Sequence, residues 1–207
     1  MAVGISAEQL QASLDALAGL EPAFAAGLDR VGYPEPRIRT RGYETLLRTI
    51  VGQQVSVAAA TSIWNRLDAA VGSIGDPAAL AKATDEMLRA AGLSRQKIGY
   101  ARSLAGLVLS GALDLASLPE DDEEAIAALS AIKGIGRWSA EIYLLFAEGR
   151  ADIWPAGDLA VQVEIGRLLG LAERPSERLT RDLAEPWRPH RGAAAIFAWH
   201  HYKTPVL

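Results

Sequence analysis

Apolar positions recur at the three-to-four-residue period of a helix along nearly the whole chain. Leu46, Leu47, Ile50 and Val51 form one apolar face, and Ile63, Leu67 and Val71 form another that stops at Gly72. Val161, Ile165, Leu168 and Leu169 repeat the pattern ahead of Gly170. The polar residues agree with this reading. Ser6 and Gln9 make a capping box for a helix ending near Gly19. Ser94 caps a helix running through Tyr100, Leu104, Leu107 and Val108 to Gly111. Asp121, Asp122, Glu123 and Glu124 suit a first helical turn, where their charges oppose the macrodipole. Ile142, Leu145 and Phe146 line a further helix that stops near Gly149. No stretch alternates with β-branched residues, so the pattern predicts an all-α fold of about ten helices.

At about 129–147 the pattern reads as a helix, a hairpin at Gly134-Ile135-Gly136, and a second helix. Glycine accepts φ > 0 and lets a foreign backbone come close. Free amides of such a turn, with the positive end of the next helix, suit an anion such as a DNA phosphate. A dinucleotide fingerprint is excluded, because position 139 is Ser and the preceding segment is helical. One carboxylate, Asp158, follows behind Pro155 and Gly157. A phosphate-gripping hairpin with a carboxylate beyond it points to chemistry on a nucleic-acid strand. Plainer readings stand beside this one: a ligand-free αα-hairpin, and Asp158 as a helix N-cap. Capping and catalysis are compatible.

Composition narrows the classes. A chain of 207 residues suits one domain or two small lobes. No apolar run approaches the ~20 residues of a membrane span, and Met1–Ser6 lack the features of a secretion signal. The expectation is a cytoplasmic protein, nucleoid-associated in a prokaryote, with no membrane partner. The chain has no cysteine, which excludes disulfides, thiolate metal sites and an iron–sulfur cluster. The net charge of −4 argues mildly against an indiscriminate DNA binder. Its distribution is uneven: acids crowd Glu120–Glu124, against basic groups at Arg37, Arg39, Arg41 and Arg48, at Arg95, Lys97 and Arg102, and at Arg181, Arg188 and Arg191. That spacing predicts an acidic rear and a basic cleft, or else ordinary surface charge. His190, His200 and His201 lack metal-site spacing and read as surface or phosphate-contacting residues.

Four strings occur in order: Ile50-Val-Gly-Gln-Gln-Val-Ser-Val-Ala-Ala59, Gly92-Leu-Ser-Arg-Gln-Lys97, the hairpin with Asp158, and Pro186-Trp-Arg-Pro-His-Arg191. Together they resemble the helix-hairpin-helix Gly/Pro-Asp superfamily of DNA base-excision glycosylases. The alkylation-repair branch, the 3-methyladenine DNA glycosylases of type II, is the most similar. The resemblance covers about Gly42 to Lys203. It implies two helical lobes flanking a cleft: residues 43–145 centrally, and residues 1–42 with 146–207 carrying the catalytic Asp. The β-domain that often precedes this core would not fit in the residues ahead of Gly42.

The resemblance also implies an activity: a monofunctional, monomeric glycosylase that hydrolyses the N-glycosidic bond of alkylated purines, 3-methyladenine and 7-methylguanine, in double-stranded DNA. Asp158 takes the catalytic position. Trp138 and Trp199 take base-pocket positions. Tyr143 lies one residue beyond the family's pocket tyrosine, where this chain has Ile142. Gln53 and Gln54 fall at the DNA, position 54 being that of the side chain that plugs the gap left by a flipped base. Lys133 (in place of a common proline), Gly134, Ile135, Gly136 and Arg137 map to the DNA-binding hairpin. Backbone carbonyls of Ser130, Ile132 and Ile135 map to a monovalent-cation site, and no other cofactor is implied. The strand-cutting branch has its lysine nucleophile where this chain has Trp138. Two other readings remain: a glycosylase for deaminated, oxidised or mismatched bases, and a non-catalytic helix-hairpin-helix DNA-binding module.

Overall fold

A computed structural model describes residues 4–204, and among them only helices, turns and loops occur. The α-helices are α1 (Ala7–Leu20), α2 (Pro22–Val31), α3 (Tyr43–Gly52), α4 (Val57–Val71), α5 (Pro77–Lys82) and α6 (Asp85–Ala90). They continue with α7 (Arg95–Leu109), α8 (Asp122–Ser130), α9 (Arg137–Tyr143), α10 (Leu159–Leu168), α11 (Glu177–Leu183) and α12 (Arg191–Lys203). After Tyr143 the chain widens into a π-helical stretch, Leu144–Glu148, and a 3-10 turn spans Glu185–Trp187. The all-α expectation holds.

Local chemistry accounts for most boundaries. Ser6 and Gln9 form the reciprocal capping box that opens α1. Ser56 and Ser94 accept the amides of Ala59 and Lys97, and Asp121 accepts those of Glu123 and Glu124. Gly72 closes α4 in the left-handed conformation. The buried face of α7 is Ile98, Ala101, Leu104 and Ala105, rotated from the face expected through Tyr100 and Leu107. Two polar side chains tie α7 to its neighbours: Lys97, in its first turn, donates to the Val51 carbonyl at 2.7 Å, and Arg102, at mid-helix, donates to Asp85 at 2.7 Å.

The chain divides into two compact units, one spanning Thr40–Tyr143 and the other joining the segments up to Arg39 and from Leu144. In the first, α7 packs against α3 and α5, α4 lies on α3, and α8 pairs with α9. Its centre is Leu46, Leu47, Ile50, Leu67, Leu80, Leu88 and Leu104, all sealed from solvent. In the second, α1 packs on α2 and α12, and α10 on α12. Leu10, Leu14, Leu17, Phe24 and Phe197 form its centre. Trp187 meets Phe24 edge-on at 5.0 Å and Trp154 edge-on at 5.8 Å, geometry that favours aromatic pairs.

Candidate active site

In the first unit the hairpin is assembled from both sides. Gly134 has φ +84°, and a Cβ there would lie 2.2 Å from the Tyr100 ring, so only glycine fits. Gly136 differs: a Cβ there meets nothing within 4 Å. Its carbonyl accepts the Ala140 N–H at 3.0 Å and opens α9. The Ile135 N–H turns inward to the Ile132 carbonyl at 3.0 Å, and the Lys133 N–H bonds Ser103 Oγ at 3.1 Å. Two of the amides expected to face an anion are therefore used within the protein, one closing the turn and one tying it to α7. Those of Gly136 and Arg137, at the start of α9, have no acceptor within that helix.

Several predicted DNA contacts are tied to the protein instead. The Gln53 Nε2 amide donates to the Gly134 carbonyl at 2.8 Å and braces the hairpin from the end of α3. The Arg137 guanidinium grips both oxygens of Glu123, at 2.8 and 2.5 Å, and donates to Glu141 Oε1 at 2.9 Å. Glu141 is buried, and the hydrogen bond to Glu123 leads the causes that hold the guanidinium pKa above its ordinary value. Arg137 is thus a clamp between α8 and α9. Tyr143 is 3% exposed, and its hydroxyl accepts the Gly42 N–H at 2.8 Å. It supports the start of α3 rather than offering a stacking face.

Other predicted residues remain outward-facing. Lys133 is exposed and Trp138, in the first turn of α9, is 48% exposed. Gln54 is exposed and stands at φ +55°, the one described non-glycine residue with positive φ. A left-handed glutamine holds about 1 kcal/mol or more of backbone strain, and such strain concentrates at functional positions.

In the second unit Asp158 caps α10, its Oδ1 accepting the Val161 N–H at 3.0 Å. Trp199, on α12, donates its indole Nε1–H to the same oxygen at 3.1 Å. The cap and the predicted pocket aromatic thus meet on one carboxylate. The loop leading to Asp158 is held at three points. Asp152 is gripped by Arg191 at 2.9 and 2.8 Å and by Arg188 at 2.6 Å. The Trp154 indole N–H donates to the Thr180 carbonyl at 3.0 Å, and Gln162 Nε2 to the Ala156 carbonyl at 2.8 Å. Phe146 lies against Trp199 with centroids 5.7 Å apart, placed there by the π-helical stretch.

Phe146, Asp152, Gln162 and Thr180 were not foreseen as parts of the site. Only Phe146 and Gln162 left a signal, an aromatic and an amide close to the hairpin and to Asp158. The basic groups and histidines also differ from expectation. Arg188 and Arg191 serve Asp152 and Glu185, Arg102 serves Asp85, and Arg41 donates to the Leu115 and Ala116 carbonyls. Arg48 lies on the Trp64 ring at 3.9 Å. His201 is buried with its Nδ1 2.5 Å from Glu164, and His200 Nε2 is 3.0 Å from the Val31 carbonyl. Both histidines serve the fold. Among the described residues no group of three or more His, Cys, Asp or Glu is placed to hold a metal ion.

A glycine hairpin between α8 and α9, followed by a carboxylate at the start of α10, defines a helix-hairpin-helix protein of base excision repair. The model of the HhH-GPD superfamily of base excision DNA repair proteins matches residues 47–189, and the chain belongs to that family. It is 32% identical to DNA-3-methyladenine glycosylase 1 of Schizosaccharomyces pombe, over 92% of this chain and 86% of that one. The crystal structure of a DNA-3-methyladenine glycosidase from Bacillus halodurans superposes with a TM-score of 0.83 at 31% identity, covering 93% of this chain and 89% of that one. The structure of the S. pombe 3-methyladenine DNA glycosylase Mag1 in complex with abasic DNA superposes with a TM-score of 0.75 at 31% identity, covering 92% of this chain and 95% of that one.

Proposed function

We propose that this chain is a monofunctional DNA glycosylase that hydrolyses the N-glycosidic bond of alkylated purines, 3-methyladenine and 7-methylguanine, in duplex DNA. The observation that carries the reading is the Asp158 carboxylate, held at a helix start by an amide and an indole, in a chain of the base-excision family.

Reaching a stacked base requires extruding it, which costs a few kcal/mol and costs least where pairing is damaged. Gln54 is the residue to fill the gap, and its strained backbone on an exposed turn supports that role. The hairpin with Lys133 would hold a phosphate of the strand through the amides at the start of α9. Alkylated purines carry a positive charge, so an aromatic face such as that of Trp138 or of Trp199 would favour them by about 1–2 kcal/mol. The same charge makes the base a good leaving group and lessens the need for a general acid. As the glycosidic bond stretches, positive charge grows on the sugar. Asp158 would stabilise that charge and orient the attacking water.

Trp138 stands where a strand-cutting relative needs its lysine, so no Schiff base forms there and the product is an intact strand with an abasic site. A monovalent cation on the hairpin would be held by carbonyls of Ser130, Ile132 and Ile135. The Ile132 carbonyl accepts one N–H and keeps a second lone pair. Such an ion would fix the turn beside the phosphate. One hairpin and one carboxylate per chain suit a monomer, and a chromosomal substrate suits the cytoplasm, on the nucleoid in a prokaryote. The test is incubation with methylated duplex DNA and chromatography of the freed bases. Release of 3-methyladenine and 7-methylguanine is expected. Release of deaminated or oxidised bases alone would move the substrate class, and no release at all would leave a DNA-binding module.

A further inference from the structure

We propose that Trp199 is a positioning residue for the carboxylate as well as a face for the base: its indole N–H fixes the plane of Asp158, so one side chain joins pocket and chemistry. The inference rests on the function proposed above. A carboxylate that only caps a helix can swivel about its last torsion, which is broad for aspartate. Here a second donor, from α12, reaches the oxygen already bound by Val161, at 3.1 Å beside 3.0 Å. The indole has a single polar atom, so this bond also sets the rotation of the ring. Phe146 packs on the ring at 35° between planes and holds it from one side.

The two helices are joined again further along. His201, two residues beyond Trp199, reaches Glu164 of α10 at 2.5 Å, both side chains buried. With two cross-links of this kind, α12 cannot slide along α10 without breaking both. The indole edge is therefore presented to Asp158 in one register. A base stacked on the open face of Trp199 would lie beside the carboxylate that serves its bond, with no further alignment required.

The test compares the wild type, Trp199→Phe, Asp158→Asn, and a protein whose indole at position 199 is replaced by benzothiophene, sulfur standing for the N–H. Binding of a methylated duplex and the single-turnover rate of base release are measured for each. The phenyl and benzothiophene rings keep an aromatic face and lose the donor. Both should bind within about threefold of wild type and release base at least about tenfold more slowly, the effect of losing one hydrogen bond to a charged group. A benzothiophene protein at the wild-type rate, with Asp158→Asn inactive, overturns this inference and leaves the proposed function standing. Wild-type protein that releases no base, or Asp158→Asn at full rate, overturns both.

Discussion

Gln54 stands out among the described residues by its backbone. Its φ of +55° is unfavourable for any residue with a Cβ, and nothing in the packing of so exposed a side chain repays it. Replacing it with glycine, which accepts positive φ, should stabilise the protein by about 1 kcal/mol, or roughly 2–4 °C in Tm. If Gln54 is the plug proposed above, the same change removes it, so binding to damaged duplex should weaken while the protein becomes more stable. Thermal melts and DNA titrations on the one variant check both halves. A Gln54→Gly protein that is less stable, or binds damage as before, would mean the turn is strained for another reason. Arg137 carries the converse lesson. A cation beside a glycine hairpin reads as a phosphate contact, yet its guanidinium is spent on Glu123 and Glu141. Partners fourteen residues back and four ahead compete with any phosphate, and a motif does not record them.

At the scale of elements, the hairpin's two glycines do different work. Gly134→Ala drives a Cβ into Tyr100 at positive φ and should cost about 2–4 kcal/mol of stability. Gly136→Ala meets open space, so its melt should stay within about 1 kcal/mol of wild type. Its methyl would instead stand where a phosphate approaches, and binding should fall about equally for damaged and undamaged duplex. Calorimetry with paired titrations separates the two. Equal loss of stability in both variants would remove the argument that the second glycine is kept for a ligand.

Elements were legible in proportion to how local their causes are. The caps of α1, α7 and α10 each join residues three apart, and each could be read directly; at α8, Asp121 caps the helix from just outside the first turn where it was expected. The π-helical stretch after Tyr143 could not, because an apolar run there is equally consistent with an α-helix. Nor could the roles of Gln53 and Tyr143, whose partners Gly134 and Gly42 lie far along the chain. Of the site, Asp158 and its capping role were readable. Its bond to Trp199 was not, because packing of α10 against α12 creates it.

For the whole molecule, the arginines explain how a protein of net charge −4 belongs to a DNA-repair family. Many of its cations stitch its own loops and helices, so the phosphate binding proposed above would fall to a few backbone amides and exposed side chains such as Lys133. The chemistry should also stop at base removal. Borohydride added during turnover should trap no covalent protein–DNA adduct, since an indole at position 138 supplies no amine for a Schiff base. A trapped adduct would show an amine nucleophile, with exposed Lys133 the first to replace.

The most direct test of the account is the rate of base release from methylated duplex DNA by the wild type and by Asp158→Asn. The amide keeps an oxygen for Val161 and Trp199 but carries no charge to meet the developing sugar cation. The account predicts free 3-methyladenine and 7-methylguanine from the wild type, with turnover lowered at least about a hundredfold in the variant while DNA binding persists. An Asn variant working at the wild-type rate would show that Asp158 is a helix cap and nothing more.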